Sequence, residues 1–457
     1  MTLTPLVFAP KTFFNGFGLP QTFALGVLSS LGMLLGVFFG CSLPFGTPSI
    51  TLSLFVACLV LAFIKAEPIH NGRKELGIQL PMILVFFSAI TLLDINSIKW
   101  VALSSTIATV LCCIYAIAQT HETDPFFPNI MKAGGPITNA IGTIGNPNFL
   151  ASYICAAVWL TIYAAFTINS TILIATSIAL FALLKTGSRA GLIGFCCSVW
   201  FFVLVSAYYN SAIFSEWMFH IGLALTILGA IIVVQLFRIN WDTFFYKDID
   251  PKGDQVWYAS FRFRLCYWLV ALKLFVKKPL FGWGLWSYRK ELYRVQGQIN
   301  EKDPRFLKPT RYLTPQPREV HNDYLEHLVE YGLIGTTIFL IFAGSIYYYG
   351  FKYLSITNGI EFYEMLILLS GLTAFMVDAI FFFALRLPAT GLLFWLISGL
   401  IILKANSNVL FVIKPNPLVA IAIGLLSCFF LWECVIKRCF ASHHFLRSGT
   451  EKDGMKR

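Results

Sequence analysis

Charge is what this chain has least of. Only 12% of its 457 residues are Asp, Glu, Lys or Arg, roughly half the share found in ordinary soluble domains. With 57% hydrophobic residues and a mean hydropathy of +0.72, the composition excludes a soluble domain and specifies a polytopic membrane protein. Other absences narrow the reading further. No secretory cleavage pattern precedes the first apolar run, so that run is expected to remain as an anchor. No CxxC spacing occurs, which removes redox and zinc motifs of that kind. There is no internal repeat, no inverted pair of broken helices and no low-complexity tract. Eleven cysteines are present, but most sit inside apolar runs, including the adjacent pairs Cys112-Cys113 and Cys196-Cys197. The one long polar segment holds only Cys266, so it cannot form a disulfide within itself, and the cysteines read as small packing residues.

What is present is a series of runs long enough to cross a bilayer, for which about 20 predominantly apolar residues are needed. They lie near 21–40, 48–65, 78–93, 98–118, 149–168, 170–184, 190–208, 217–237, 331–351, 362–383, 388–403 and 417–436. The expected fold is all-α, with about 12 transmembrane helices and one large extracytoplasmic loop. Three regions follow: an N-terminal transmembrane bundle over 1–237, the loop over 238–330, and a C-terminal bundle with a short basic tail over 331–457. The net charge of +11 suits anionic lipid head groups or a phosphorylated substrate. Nucleic acid is not an expected partner, because no basic-aromatic binding module accompanies the charge. The loop carries 16 Lys and Arg against 11 Asp and Glu. Loops longer than about 60 residues escape the positive-inside rule, so this excess does not decide the loop's side.

Within the loop, Leu265, Trp268, Leu269, Leu272 and Phe275 recur at helical spacing, with Arg262, Lys273 and Lys277 on another face. That pattern predicts an amphipathic helix lying on the membrane surface, stopped by Pro279. Gly282-Trp283-Gly284 predicts a turn with an aromatic at the interface. The stretch from Asp303 to Glu319 carries Pro304, Pro309, Pro315 and Pro317 and cannot form a regular element. It reads as a flap or a plain connector. At the loop's end comes the run from His321 to Gly335, His-Asn-Asp-Tyr-Leu-Glu-His-Leu-Val-Glu-Tyr-Gly-Leu-Ile-Gly. It sets an imidazole and several carboxylates at the border between lipid and water. His327 stands four residues after Asp323 and is expected to pair with it. Gly332 and Gly335 are expected to permit close helix contact, with Glu330 orienting His321 or an arginine from another span. Asp378, an acid deep in an apolar span, is expected to have a partner. No HExxH or Asp-x-Asp pattern occurs in the His321 run, and no metal site is expected there.

Four stretches in order resemble the bacterial superfamily of O-antigen ligases, O-antigen polymerases and protein O-oligosaccharyltransferases. They are Gly142-Thr143-Ile144-Gly145-Asn146-Pro147-Asn148-Phe149-Leu150-Ala151; Gly187-Ser188-Arg189-Ala190-Gly191; Arg264 to Trp268 followed by Pro279-Leu280-Phe281-Gly282-Trp283-Gly284; and the His321 to Gly335 run. Tyr115-Ala116-Ile117-Ala118-Gln119 with Asp124-Pro125, and the Asp378 to Pro388 segment, extend the likeness on either side. The resemblance implies a membrane glycosyltransferase that moves a glycan from a polyprenyl diphosphate carrier to an acceptor hydroxyl, with no metal and no other cofactor. The acceptor would be lipid A core, a protein or a growing glycan, and the ligase role is the favoured one. It also implies a multi-pass protein of the bacterial inner, or cytoplasmic, membrane. By position in the motifs, His321 would be the base, and Arg189 and Arg264 would neutralise the leaving diphosphate. Asn146, Asn148, Asn322, Glu330 and Arg386 would contact substrate. A transporter or flippase of an anionic lipid is the alternative from another class; the lack of inverted repeats counts against it. Counting spans outward from Asn146 puts both termini on the His321 side, at odds with the basic C-terminal tail.

Overall fold

In the computed structural model, residues 1–7, 18–38, 41–120, 124, 139–209, 256–302, 319–406, 409–413, 429, 431–437 and 439–441 are described. Among them the protein is built almost entirely of helices. In chain order these are α1 (Gly18–Phe38), α2 (Thr47–Ile64), α3 (Ile69–Leu92), α4 (Ile98–Gln119), α5 (Pro147–Thr167), α6 (Leu173–Thr186), α7 (Arg189–Tyr209), α8 (Val256–Lys277), α9 (Ser287–Lys302), α10 (Asp323–Leu354), α11 (Gly359–Phe381) and α12 (Pro388–Ala405). Two short strands, β1 (Leu43–Phe45) and β2 (Phe411–Ile413), pair antiparallel with Phe45 opposite Phe411.

Nine of these helices are long and apolar enough to span a bilayer among the described residues, and α6 is a shorter apolar helix. The sequence predicts twelve spans. Ten of those segments are helical here, while 217–237 and most of 417–436, apart from a helical turn at Leu431–Ile436, lie outside the described residues, so nine is the number the structure supports among the described residues. Helix boundaries follow from local chemistry. Asn146 caps α5 by accepting from Asn148 N at 2.9 Å, with Pro147 in the first turn, where a missing N–H costs nothing. Gly187, in the left-handed region at φ 66°, ends α6 and frees the chain to start α7 at Arg189.

The helices differ in how much of their surface meets protein. α5 and α12 are buried over 83% and 89% of their most apolar windows, whereas α2 and α7 are buried over only 33%. Helices that are apolar all round belong inside the bundle or against lipid, and these two pairs occupy those two places. Small residues set the closest approaches. A Cβ on Gly191 of α7 would stand 2.8 Å from Ala151 of α5, and one on Gly194 would stand 2.8 Å from Ala374 O of α11. α5 and α11 run antiparallel: Ser152 meets Asp378, while Trp159 lies against Gly371 nearer the other end. Consequently the start of α5, the start of α7, the end of α11 and the start of α12 share one end of the bundle. α10 begins there too, since Asp323 N donates to Phe382 O at 3.2 Å. At the opposite end the buried Lys404 pairs with Glu364, tying α12 to α11.

The surface helix expected around 261–278 is present as α8, but its buried stripe differs from expectation. Val270, Ala271 and Leu274 are buried against Tyr288, Leu292, Val295 and Ile299 of α9, whereas Leu272 faces outward. The reason lies in α9, whose own apolar residues at helical spacing offer α8 a protein partner in place of lipid. Together they form a helical hairpin whose small core is completed by Val320 and by Val329 of α10. The Pro-rich stretch 303–318 lies outside the described residues.

Candidate active site at the break in α10

α10 is two helices joined at Gly332, whose φ of 70° and ψ of −169° are not helical. A break releases backbone groups that need new partners in a buried setting. The Pro279–Gly284 turn supplies them on both sides. Trp283 N donates to Val329 O at 2.8 Å and Gly284 N to Glu330 O at 3.0 Å; in return Leu333 N donates to Pro279 O at 2.7 Å and Ile334 N to Leu280 O at 3.1 Å. A Cβ on Gly332 would lie 2.4 Å from Leu280 O, and one on Gly282 would lie 2.5 Å from Glu330 O. The two glycines thus let one backbone dock on another, a closer contact than the helix-to-helix approach expected of Gly332.

Just before the break, three acids of α10 converge on one guanidinium. Arg386, buried in the short turn between α11 and α12, reaches Glu330 at 2.8 Å, Glu326 at 3.4 Å and Asp323 at 3.9 Å. Glu75 of α3 is the fourth carboxylate, at 3.5 Å. Surrounded by these anions, the Arg386 guanidinium is held well above its ordinary pKa, against the opposing effect of burial. Each acid of α10 also accepts from a backbone N–H of a different segment: Asp323 from Leu385, Glu326 from Val320 and Glu330 from Trp286, at 2.9, 3.2 and 2.6 Å. The cage therefore joins the 280s turn, the residues leading into His321 and the α11–α12 connection. Read from sequence as a diphosphate ligand, Arg386 is engaged by carboxylates. Glu330 engages an arginine from another segment, one of the two roles expected of it. Glu75 was not singled out, because the predicted span began at residue 78 whereas α3 begins at Ile69.

His321 stands immediately before the cap of α10. Its backbone sits in the left-handed region at φ 58°, uncommon for a residue with a Cβ and costing about 1–3 kcal/mol. Neighbours hold it there. Asn322 caps the helix through Oδ1 to Leu325 N at 2.9 Å, Trp268 Nε1 donates to His321 O at 3.3 Å, and Val320 is tied to Glu326. The imidazole is ringed by Phe383, Phe382 and Tyr267, at centroid distances of 5.0, 5.9 and 6.0 Å. Its Nδ1 is buried with no hydrogen-bond partner among the described residues. Burial, reinforced by the nearby Arg264 cation, pushes its pKa down to about 4. A neutral imidazole with an open nitrogen is the form that can accept a proton.

Arg264 on α8 is itself pushed below its ordinary pKa by burial, against the pull of Asp378. The expected partner of Asp378 is Ser152, whose Oγ hydrogen-bonds to it. Phe149, next to Asn148 in the first turn of α5, packs on Phe382 and Phe383 at 5.5 Å each, so the Asn146–Phe149 turn borders the aromatic ring around His321. Arg189 is exposed at the first position of α7, at this same end. His327 does not pair with Asp323 as expected. It packs among Phe339, Tyr331 and Phe55 at 4.7, 5.0 and 5.8 Å, because the helix turns Asp323 toward Leu385 instead. The Tyr115-to-Gln119 segment closes on Asp124: Tyr115 Oη and Gln119 Nε2 donate to it at 2.8 and 2.9 Å, and Gly142 N donates to Gln119 Oε1 at 2.9 Å.

Residues 174–340 match the family model described as O-Antigen ligase. The chain carries an O-antigen ligase family domain. The match covers a little over a third of the chain and contains Arg189, Arg264, His321, Asn322 and Glu330; Asn146, Asn148 and Arg386 lie outside it. It supports the O-antigen ligase and polymerase superfamily read from the sequence motifs, whose members are membrane glycosyltransferase-type enzymes acting on lipid-linked glycans and acceptors. No curated protein matches the chain.

Proposed function

We propose that this O-antigen ligase family protein transfers a glycan en bloc from a polyprenyl diphosphate carrier to an acceptor hydroxyl, with lipid A core as the acceptor, at the outer face of the bacterial inner membrane. The observation that carries this reading is the pairing of His321, neutral and open at Nδ1, with the cation of Arg264 at one end of the bundle. A diphosphate leaves as a stable anion, so charge neutralisation matters more than protonation. A guanidinium stays ionised and binds phosphate oxygens through two parallel hydrogen bonds. In this scheme Arg264 and Arg189 receive the diphosphate, His321 takes the acceptor proton, and Asn146, Asn148 and Asn322 frame the sugar. Arginine supplies the positive charge, and no metal enters the scheme.

Arg264→Lys and Arg189→Lys keep the charge but lose the fork, and each is expected to lower transfer at least about tenfold. Full activity in both lysine variants, measured with lipid-linked donor in membranes, would refute bidentate phosphate recognition. The acceptor is tested by deletion of the gene and extraction of surface glycans. Loss of long-chain lipopolysaccharide with accumulated polyprenyl-linked polymer is the result expected of a ligase. Intact lipopolysaccharide beside an unglycosylated surface protein would reassign the acceptor to protein.

A further inference from the structure

A polar cavity lies against the 280s turn, and none of the residues around His321 lines it. It encloses about 670 Å³ and is lined by Lys65 and Glu67 at the end of α2, by Lys278 and Trp283 of the turn, and by Ser287, Lys290, Glu291 and Arg294 of α9. Four cations face two carboxylates there. The acids are already engaged at its rim, Glu67 by Lys290 at 2.8 Å and Glu291 by Arg294. Lys278 Nζ stands 4.0 Å over the Trp283 ring and Lys65 Nζ lies 3.3 Å from Phe281 O, so two ammonium groups meet an aromatic face and a carbonyl in place of a carboxylate. Ser287 is 6% exposed, and its buried Oγ has no partner among the described residues. Ser287 is also the first residue of α9, where backbone N–H groups and the helix dipole favour an anion. Just outside the cavity, Leu280 and Phe281 are 55% and 53% exposed, close to Ile64 at 67%. A charged cavity bordered by exposed apolar side chains at the end of a span suits a molecule with an anionic head and a lipid tail.

We propose that this cavity binds the phosphate group of a membrane amphiphile, with Lys278, Lys290 and Arg294 on the phosphate oxygens and Ser287 Oγ donating to one of them. The phosphate could belong to a phosphorylated glycolipid or to an ordinary anionic phospholipid, and the experiment separates these sources. The full-length chain is placed in neutral phosphatidylcholine nanodiscs doped either with a phosphorylated disaccharide glycolipid or with phosphatidylglycerol. Bound anionic lipid is then counted by native mass spectrometry across a dose series. Lys278 and Lys290 are exposed, so the Lys278→Gln/Lys290→Gln variant is expected to fold, with melting temperature as the check. A control of equal charge, Lys99→Gln/Lys352→Gln, alters the opposite end of the bundle. The cavity variant is expected to bind at least one probe about tenfold more weakly, while the control stays within about twofold of the parent. Loss for the glycolipid alone identifies a phosphorylated glycolipid, loss for phosphatidylglycerol alone a phospholipid, and loss for both a general phosphate site. Equal retention of both probes by cavity and control variants overturns the proposal. The assay reads binding alone, so it can fail while the transfer reading stands.

Discussion

Replacing His321 with alanine is expected to lower glycan transfer about 100- to 10,000-fold, the usual contribution of a positioned general base, while protein level and donor binding stay near normal. Both His321 and His327 bury an Nδ1 that has no hydrogen-bond partner among the described residues, but His321 is half-buried beside Arg264 in the segment before α10, whereas His327 is 2% exposed and packed inside α10 among three aromatic rings. His327→Ala should therefore act mainly through packing. Retained transfer above about a tenth of the parent rate in His321→Ala would remove His321 from the mechanism. The pH profile provides a second check. Because the folded pKa is lowered to about 4, the base remains neutral through the region where an ordinary histidine titrates, and kcat/KM should show no loss near pH 6.5 from this group. Donor phosphate beside Arg264 would offset that cation and favour the imidazolium, so the acid limb of kcat should lie at higher pH than that of kcat/KM. The same shift affects stability. Below about pH 6.5 the unfolded chain binds a proton that the folded site resists, so stability contributed by this group is lost as pH falls toward 4.

Arg386→Ala is expected to cost about 3–5 kcal/mol of stability, the range for stripping one partner from a buried ion pair, and to abolish transfer along with it. Four carboxylates surround that guanidinium, and its loss would leave them buried together with no cation. Three of them also fasten backbone segments, including Val320 just before His321, so the damage should reach the base. Arg386→Lys should recover only part of the stability, since one ammonium group cannot extend donors toward four carboxylates in a planar fork. Melting temperature of the solubilised chain, measured beside transfer activity, decides the role. An Arg386→Ala protein that melts with the parent yet fails to transfer would show that Arg386 serves substrate, the role its motif position suggests, rather than the cage.

Membrane class, span positions and the site's neighbourhood were readable in the sequence because each is encoded locally. A run of about 20 apolar residues is needed to cover the bilayer core, and ten such runs recur as helices, although α3 and α10 begin eight or nine residues before their predicted limits. Asn146-Pro147 marks a helix start and Pro279 a helix stop through chemistry confined to a single turn. The motifs likewise singled out His321, Arg264 and Arg189 as candidates without any knowledge of packing. What the sequence could not disclose is which distant groups meet. Arg386 and Glu330 are 56 residues apart, Ser152 and Asp378 226, Gln79 and Tyr331 252, and no periodicity links such pairs. Nor does a lone Gly332 announce whether it eases helix contact or breaks the helix; the Pro279–Gly284 backbone, docked where the broken helix exposes its N–H and C=O groups, decides that. For the same reason the buried face of α8 became known only with α9 beside it. Local patterns specify where helices begin and end, while the cage that holds His321 exists only after tertiary packing has brought its carboxylates within reach of one arginine.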